Sequence, residues 1–246
     1  MKTKIKTAGG ILSALLIVVL FSSLTSTQGD SKNLTGAWEY GTPENHTVLI
    51  ISPTAFAVTH YDLPGKKMMS TYGGAWKIVG DTLIQTIEFS SANPDEVGTV
   101  KKQAVKSEGS SLVLGKDNFT RIDAGKPGAL AGAWIFAGRN ENGKFSEFPG
   151  LFKSRRTMKI LSGTRFQWIA YDIDSKKFFN TGGGTYTTAD GKYTETIEFF
   201  TKTPESVGKS LSFNFALEDG HWRHSGASSS GAMIDERWAN RKTLEK

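Results

Sequence analysis

The chain has 246 residues, a formal net charge of +6 and no cysteine. The lack of cysteine excludes disulfide bonds and thiolate metal sites, so the folded protein must be stabilised by its apolar core. The excess of basic residues is small and no stripe of basic and aromatic side chains accompanies it, which argues against a nucleic-acid partner.

The first 29 residues have the three-part pattern of a secretory signal peptide. Three lysines precede an apolar run at 11–21, and small polar residues follow at 22–29. The apolar run is short for a membrane span. The pattern predicts export to the periplasm or the extracellular space, with cleavage between Thr25 and Asp30 and a mature protein that does not span a membrane. An uncleaved anchor is the alternative. Cleavage would leave 27 basic and 24 acidic residues, a net charge of +3.

The remaining sequence contains two copies of one module. Leu-Thr-Gly-Ala-Trp at 34–38 returns as Leu-Ala-Gly-Ala-Trp at 130–134, and Thr-Ile-Glu-Phe at 86–89 returns at 196–199. Between these anchors, ten further residues recur at a constant offset of 110. The first tryptophan recurs at an offset of only 96, so the second copy has gained 14 residues, which fall around 139–156.

The repeat predicts the domain organisation. We expect a signal peptide at 1–29, module 1 at 30–124, a linker at 125–129, module 2 at 130–240 and a charged tail at 241–246. The high charge from Arg237 onward suggests that this end of the chain frays.

The modules have the period of β-strands. In the second copy, strict alternation places Leu211, Phe213, Phe215 and Leu217 on one face of a strand. Asp-Gly pairs, such as the one at 190–191, indicate tight hairpins. No window of ten residues reads as an amphipathic helix, so each module is predicted to be all-β.

The number of strands favours closed barrels. About eight short strands joined by hairpins are predicted in each module, with separate strands near Phe178 and Gly184. A meander of eight strands closes into a small antiparallel barrel that has no exposed edge. The prediction is two tandem meander barrels, and a two-sheet sandwich with Greek-key crossings is the alternative.

Ordered motifs carry a resemblance to a known fold family. Gly-Ala-Trp at 36–38 and 132–134, followed by a meander, resembles the opening of lipocalins and related calycin barrels. Phe-Gln-Trp at 166–168, the glycines at 182–184, the strand at 193–199 and Glu-Arg-Trp at 236–238 resemble the secreted lipocalin-like domains of unknown function of Bacteroidetes.

The resemblance implies roles for two tryptophans. In lipocalin-like barrels the first tryptophan closes one end, and an arginine of the last strand packs across its ring. The resemblance therefore implies a pair between Trp38 and Arg121 in module 1 and a pair between Trp134 and Arg237 in module 2.

Module 2 is unusually rich in aromatic residues, which suggests a binding site. We expect Trp168, Tyr186, Phe213 and Phe215 to line a common interior that holds a small apolar ligand. The competing interpretation is that many of the rings form the contact surface between the two modules.

Several motifs that suggest enzymes lack the context that their chemistry needs. The glycine and lysine spacing at 138–144 resembles a phosphate loop, but no hydroxyl residue follows and no βαβ unit surrounds it. Ser206 and Lys209 have the spacing of acylating serine enzymes without the helix or the partner motifs. His221 and His224 would face opposite sides of a strand, so a solvated pair is expected rather than a metal site.

Glu88 and Glu198 recur in both copies. A buried carboxylate would be a candidate site, but alternation places Ile87 and Phe89, like Ile197 and Phe199, on the apolar face and therefore favours solvated positions for both glutamates. We expect no catalytic residues, no metal and no cofactor.

The sequence favours a secreted, non-enzymatic binding or scaffold protein. One alternative is an extracellular module that binds a protein or a glycan through the insertion and its basic cluster at 153–156. The other is an unrecognised barrel enzyme, because the fold permits many activities. The ligand and the oligomeric state remain open.

Overall fold

The computed structural model describes residues 34–245, which form two antiparallel barrels of eight strands each. The prediction of two tandem all-β meander barrels is confirmed. Within the described residues, no helix is both long enough and apolar enough to cross a membrane.

Barrel 1 is a closed meander in which each strand pairs with the next and the last pairs with the first. Its strands are β1 (Gly36–Thr42), β2 (Asn45–Ile51), β3 (Phe56–Asp62), β4 (Lys67–Val79), β5 (Thr82–Ser90), β6 (Val100–Glu108), β7 (Ser111–Leu114) and β8 (Asp117–Asp123).

Barrel 2 repeats this order and closes by pairing its first strand with its last. Its strands are β9 (Gly132–Glu141), β11 (Arg155–Leu161), β12 (Arg165–Asp172), β13 (Lys177–Ala189), β14 (Lys192–Phe200), β15 (Ser210–Glu218), β16 (His221–Ala227) and β17 (Met233–Asn240). The additional strand β10 (Lys144–Glu147) lies outside the barrel, and a short helix, α1 (Arg241–Leu244), ends the described chain.

The strands predicted near Phe178 and Gly184 are one strand, β13. A register shift between Gly183 and Gly184 bends it without ending it, and Gly184 has a φ of 156°. A Cβ at Gly184 would lie 2.1 Å from the Thr196 carbonyl oxygen, so the glycine permits this close approach. The prediction of two strands here is wrong, because glycines that indicate a break in the strand form a bulge instead.

The insertion in the second copy is a β-hairpin. β9 continues past the barrel to Glu141, and β10 pairs back along it. The segment with phosphate-loop spacing is therefore the turn of this hairpin, with Asn142 and Gly143 at positive φ.

Only one of the two implied tryptophan–arginine pairs forms. The Arg121 guanidinium lies 3.8 Å from the centre of the Trp38 ring. In barrel 2 the residue opposite Trp134 is Asn240, because a register shift displaces Arg237 along the strand. Arg237 stacks instead on Phe145 of the inserted hairpin, at 4.9 Å.

The two barrels share an apolar cluster to which both contribute corresponding residues. Tyr61 Oη donates a hydrogen bond to Glu198 Oε2 at 2.7 Å, and its copy Tyr171 donates to Glu88 Oε2 at the same distance. A contact between i and j that recurs between the copies of j and i is the pattern of an isologous, two-fold interface. The interface therefore has the form of a homodimer contact within one chain.

Glu88 is buried at this interface, and Glu198 accepts hydrogen bonds from Tyr61 across it and from Arg165, so the expectation of solvated residues is wrong for both. Glu88 is 8% exposed and accepts hydrogen bonds from Arg241, Arg156 and Tyr171. The strand alternation fails because β5 carries a register shift beside Glu88, which turns Phe89 out of the barrel interior and into the interface. The Glu88 side chain does point out of barrel 1, as alternation predicts. It contacts residues of the second module instead of solvent.

The end of the chain is ordered at the same interface. Arg241 is 1% exposed, and its two terminal nitrogens both contact the Glu88 carboxylate. Its Nε donates to Glu245 Oε1 at 2.6 Å. The expectation that the chain frays from Arg237 onward is therefore wrong for the described residues, because Arg241 neutralises a buried carboxylate.

Gln167 lies where corresponding strands of the two barrels meet. Its Nε2 donates to Thr71 Oγ1 and to Thr181 Oγ1, both at 3.0 Å, and these threonines are copies of one another. Its Oε1 accepts from Thr59 Oγ1 at 2.9 Å. The copy of Gln167 is Ala57, so a single amide side chain joins both halves.

Candidate functional site

Barrel 2 contains a cavity of about 550 Å³ that opens at one end. Exposed residues surround the opening, among them Arg139, Arg155 and Lys202. Buried residues from five different strands form the deeper wall: Lys159, Glu195, Phe213, His224 and Trp238. The closed meander brings them together, because alternate residues of every strand point into the barrel.

Lys159 is the most unusual group in this cavity. It lies on β11, is 5% exposed, and its Nζ lies near three aromatic rings, at 5.2 Å from Tyr193, 4.8 Å from Trp222 and 5.2 Å from Trp238. Among the described residues, it makes no hydrogen bond and no ion pair. Burial lowers the pKa of Lys159, although the negative charges of the nearby Glu195 and Glu236 would raise it.

Glu195 lies on β14 and is also buried. It accepts a hydrogen bond from Tyr193 Oη at 3.0 Å. Burial raises the pKa of Glu195 despite the nearby charge of Lys159 and the Tyr193 hydroxyl. Glu195 therefore retains its proton at higher pH than an ordinary glutamate.

His224 and Glu236 complete the polar part of the wall. His224 Nδ1 lies 3.6 Å from Glu236 Oε2, which is longer than a hydrogen bond, and neither ring nitrogen has a hydrogen-bond partner. Burial and the charge of Lys159 lower the pKa of His224 to about 4, so the ring is neutral near pH 7. Burial would raise the pKa of Glu236, but His224 and Lys159 outweigh it and the pKa is lowered.

The four residues predicted to line a common interior do not all reach the cavity. Trp168 and Phe213 lie in its wall. Tyr186 packs against Tyr193 elsewhere in the barrel, and its Oη donates to the Ser162 carbonyl oxygen at 2.6 Å. Phe215 packs against the same core but does not line the cavity.

Barrel 1 lacks this polar constellation. Leu49 occupies the position of Lys159, because each residue pairs with the first tryptophan of its own barrel. Gln85 occupies the position of Glu195. The position of His224 is occupied by Leu114. Leu49 and Leu114 belong to the apolar core of barrel 1. The fold therefore forms without these charges, and their presence is a property of barrel 2.

The two histidines flanking Trp222 and Arg223 are placed differently. His224 is 2% exposed and faces the cavity, whereas His221 lies near Phe145 of the inserted hairpin. The prediction of a solvated pair is wrong for His224. Across residues 34–245, no group of three or more histidine, aspartate or glutamate side chains is arranged to hold a metal ion.

The arginines of the basic cluster at 153–156 contact other residues of the same chain. Arg156 donates to Glu88 at the interface, and the Arg155 guanidinium lies 4.1 Å from the Phe179 ring. Arg155 also borders the cavity opening. The cluster is therefore part of the interface and of the opening, and it is not a separate basic surface.

Two residues of the cavity wall, Lys159 and Glu195, were not predicted, although the sequence carries signals for both. Lys159 interrupts an apolar run and replaces the Leu49 of the first copy, which marks it as a charge on an inward-facing position. Glu195 has the same strand parity as the buried Tyr193 and Ile197, so alternation alone places it on the inward face. Of the two carboxylates in the wall, Glu195 replaces the Gln85 of the first copy.

Comparison with protein families identifies one match. Residues 129–242 match a family model described as a domain of unknown function (DUF4488). No curated protein matches the chain. The matched segment contains the whole of barrel 2, including every residue of the polar cavity wall, and its all-β barrel is consistent with a lipocalin-like fold.

Proposed function

We propose that the protein is an exported, non-enzymatic binding protein that holds one small molecule in the cavity of barrel 2. The observation that carries the proposal is the cavity itself, because about 550 Å³ lies within the range of small-molecule sites. The wall combines the aromatic rings of Trp168, Phe200, Phe213 and Trp238 with polar and charged side chains, so it can contact both an apolar body and a polar group.

The polar wall refines the chemistry of the ligand. Trp168, Phe213 and Trp238 supply apolar contact area, while Lys159 and Glu195 supply charged or hydrogen-bonding groups at depth. A purely apolar molecule would leave the Lys159 donors without partners, which is costly in a buried site. The ligand is therefore an amphipathic molecule with a ring or short apolar body and one polar end.

Barrel 1 and the interface serve as the scaffold in this proposal. Barrel 1 also has a cavity, of about 540 Å³, but no buried lysine or glutamate lines it, so barrel 2 is the proposed binding site. The secreted, lipocalin-like assignment rests on the leader pattern and the motif series of the sequence.

Two measurements test the proposal. Native mass spectrometry of protein isolated from its own compartment should show a bound small molecule at one per chain. Titration with 2-naphthalenemethanol should quench tryptophan fluorescence, because several tryptophans surround the cavity. If the wild-type protein shows no bound molecule and no saturable quench, ligand binding is contradicted.

A pair of matched variants separates binding from folding. Trp168→Ala removes a ring from the cavity wall, whereas Val58→Ala truncates the corresponding position of barrel 1. Trp168→Ala should weaken probe binding at least tenfold, and Val58→Ala should leave it unchanged. Equal effects of both variants would place the probe outside the cavity.

A further inference from the structure

Lys159 presents a primary amine to the cavity of barrel 2. The side chain is buried, three rings surround its nitrogen at about 5 Å, and it makes neither a hydrogen bond nor an ion pair with the described residues. A buried lysine without a partner is rare, because the charged form is expensive to remove from water.

A structural role does not account for this lysine. Structural lysines inside proteins are paired with carboxylates, but Lys159 contacts neither Glu195 nor Glu236 within ion-pair distance. The corresponding Leu49 packs in the core of barrel 1, so the fold does not require an amine here. The nitrogen is therefore available to whatever occupies the cavity.

Two opposing effects decide the protonation of the amine. The aromatic rings favour the ammonium form through cation–π attraction, whereas burial favours the neutral amine. Burial outweighs the charges of the nearby carboxylates Glu195 and Glu236, and the pKa of Lys159 is lowered. A lysine desolvated in this way is an activated nucleophile.

We propose that Lys159 forms a reversible imine with an aldehyde or ketone group of the ligand. The inference rests on the proposed function, since it names the polar end of the molecule that the cavity holds.

The reaction balances with the groups that the cavity contains. The Lys159 nitrogen lone pair forms a bond to the carbonyl carbon while the carbonyl π bond breaks, and transfer of a proton from nitrogen to oxygen gives a neutral carbinolamine. The carboxylic acid of Glu195 then donates its proton to the hydroxyl, which leaves as water while the nitrogen lone pair forms the C=N bond. The products are a protonated imine, one water molecule and the Glu195 carboxylate.

The cavity stabilises this product. The protonated imine carries its positive charge at the position of the Lys159 nitrogen, where the three nearby rings attract a cation. Glu195 becomes an anion beside it, and Glu236 supplies a second negative charge in the same wall. The enclosing rings also limit the access of the water that would hydrolyse the imine.

The test traps the imine with a reducing agent. Wild-type protein at neutral pH is incubated with 2-naphthaldehyde and sodium cyanoborohydride, and the modified lysine is located by peptide mass spectrometry. Exposed lysines are almost entirely protonated at this pH, with roughly one in a thousand reactive. We expect Lys159 to be modified at least tenfold faster than exposed lysines such as Lys116.

Variants and related probes separate the possible outcomes. Lys159→Arg keeps the charge but removes the nucleophile, and Lys159→Met supplies an unbranched apolar side chain if the arginine variant does not fold. Both should lose the selective adduct. 2-Naphthalenemethanol, which has the same ring system without a carbonyl group, is titrated against both variants to check that the cavity still admits the ring. Loss of the adduct from a variant that still binds this probe would support the imine.

Three other results would overturn it. If both naphthyl probes bind but the adduct is distributed over exposed lysines, the imine is wrong and ligand binding stands. If 2-naphthoate binds more tightly than the aldehyde and no selective adduct forms, Lys159 is an ion-pairing group for acidic ligands. If no naphthyl probe binds and no small molecule copurifies, the proposed function fails together with the imine.

Discussion

Tyr61 and Glu198 are 137 residues apart in the chain and form a hydrogen bond of 2.7 Å across the contact between the barrels. Their copies, Tyr171 and Glu88, form the same bond in the opposite direction. The rings follow the same rule, since Tyr61 packs on Phe199 at 5.0 Å and Tyr171 on Phe89 at 5.1 Å. The tyrosine, glutamate and phenylalanine that recur in both modules are thus also the residues that form the contact between the two barrels.

The first prediction concerns the two interface carboxylates. Glu88→Gln should lower the free energy of unfolding by about 3–5 kcal/mol, because Arg156 would lose its counter-ion and Arg241 would keep only Glu245. Glu198→Gln is the matched control and should cost less, because Glu198 contacts a single arginine, Arg165, within ion-pair distance. Urea unfolding measures both, and an equal loss would contradict the special role of Glu88.

A second prediction concerns the end of the chain. Deletion of residues 241–246 removes Arg241 from the Glu88 carboxylate and should destabilise the protein by several kcal/mol on the same grounds. Deletion of 242–246 leaves Arg241 in place and should cost less, about 1–2 kcal/mol, since the Glu245 contact and the packing of Leu244 on the interface cluster are lost. Thermal unfolding of the two truncated proteins compares them. Identical melting temperatures would show that Arg241 contributes no stability.

The third prediction concerns a glycine at the interface. A Cβ at Gly73 would lie 2.3 Å from the Phe56 carbonyl oxygen and 2.7 Å from the Phe89 ring, so Gly73→Ala should cost about 1–3 kcal/mol or more. Gly183→Ala should behave alike, because its Cβ would meet Phe199 and the Phe166 carbonyl oxygen. Gly109→Asn is the control.

Gly109 has a φ of 58°, and no atom lies within 4 Å of the position that a Cβ would take there. Asparagine tolerates this backbone conformation. The control should therefore unfold like the wild-type protein. Little effect of Gly73→Ala or Gly183→Ala on urea unfolding would mean that the barrels can shift apart at the bulge without loss of stability.

The fourth prediction concerns pH. His224 has a folded-state pKa of about 4 against 6.5 for an ordinary histidine, so the unfolded chain binds a proton more readily between these values. The contribution of the neutral His224 ring to the free energy of unfolding is fully present above pH 6.5. It is lost as the pH falls from 6.5 towards 4, and the total loss is about 3 kcal/mol. The difference in unfolding free energy between wild type and His224→Gln should shrink over this window, as followed by urea unfolding. A constant difference would contradict a buried neutral ring.

The sequence predicted the barrels well because alternation and hairpin turns are local signals. It failed where a bulge breaks alternation, as at Glu88 and Phe89, since a register shift depends on pairing with a distant strand. The burial of Arg241 was equally inaccessible, because its partner Glu88 lies 153 residues away. Only two of the four predicted lining residues, Trp168 and Phe213, reach the cavity.

The position of Gln167 shows what a single chain permits that two identical chains do not. In a symmetric pair of identical modules, a side chain that bridges Thr71 and Thr181 would meet its own duplicate competing for the same space. Joining the modules in one chain allows Ala57 to stand opposite Gln167, so each half is free to diverge. The same freedom allows one barrel to carry a lysine where the other carries Leu49, so the two interiors differ in charge within one chain.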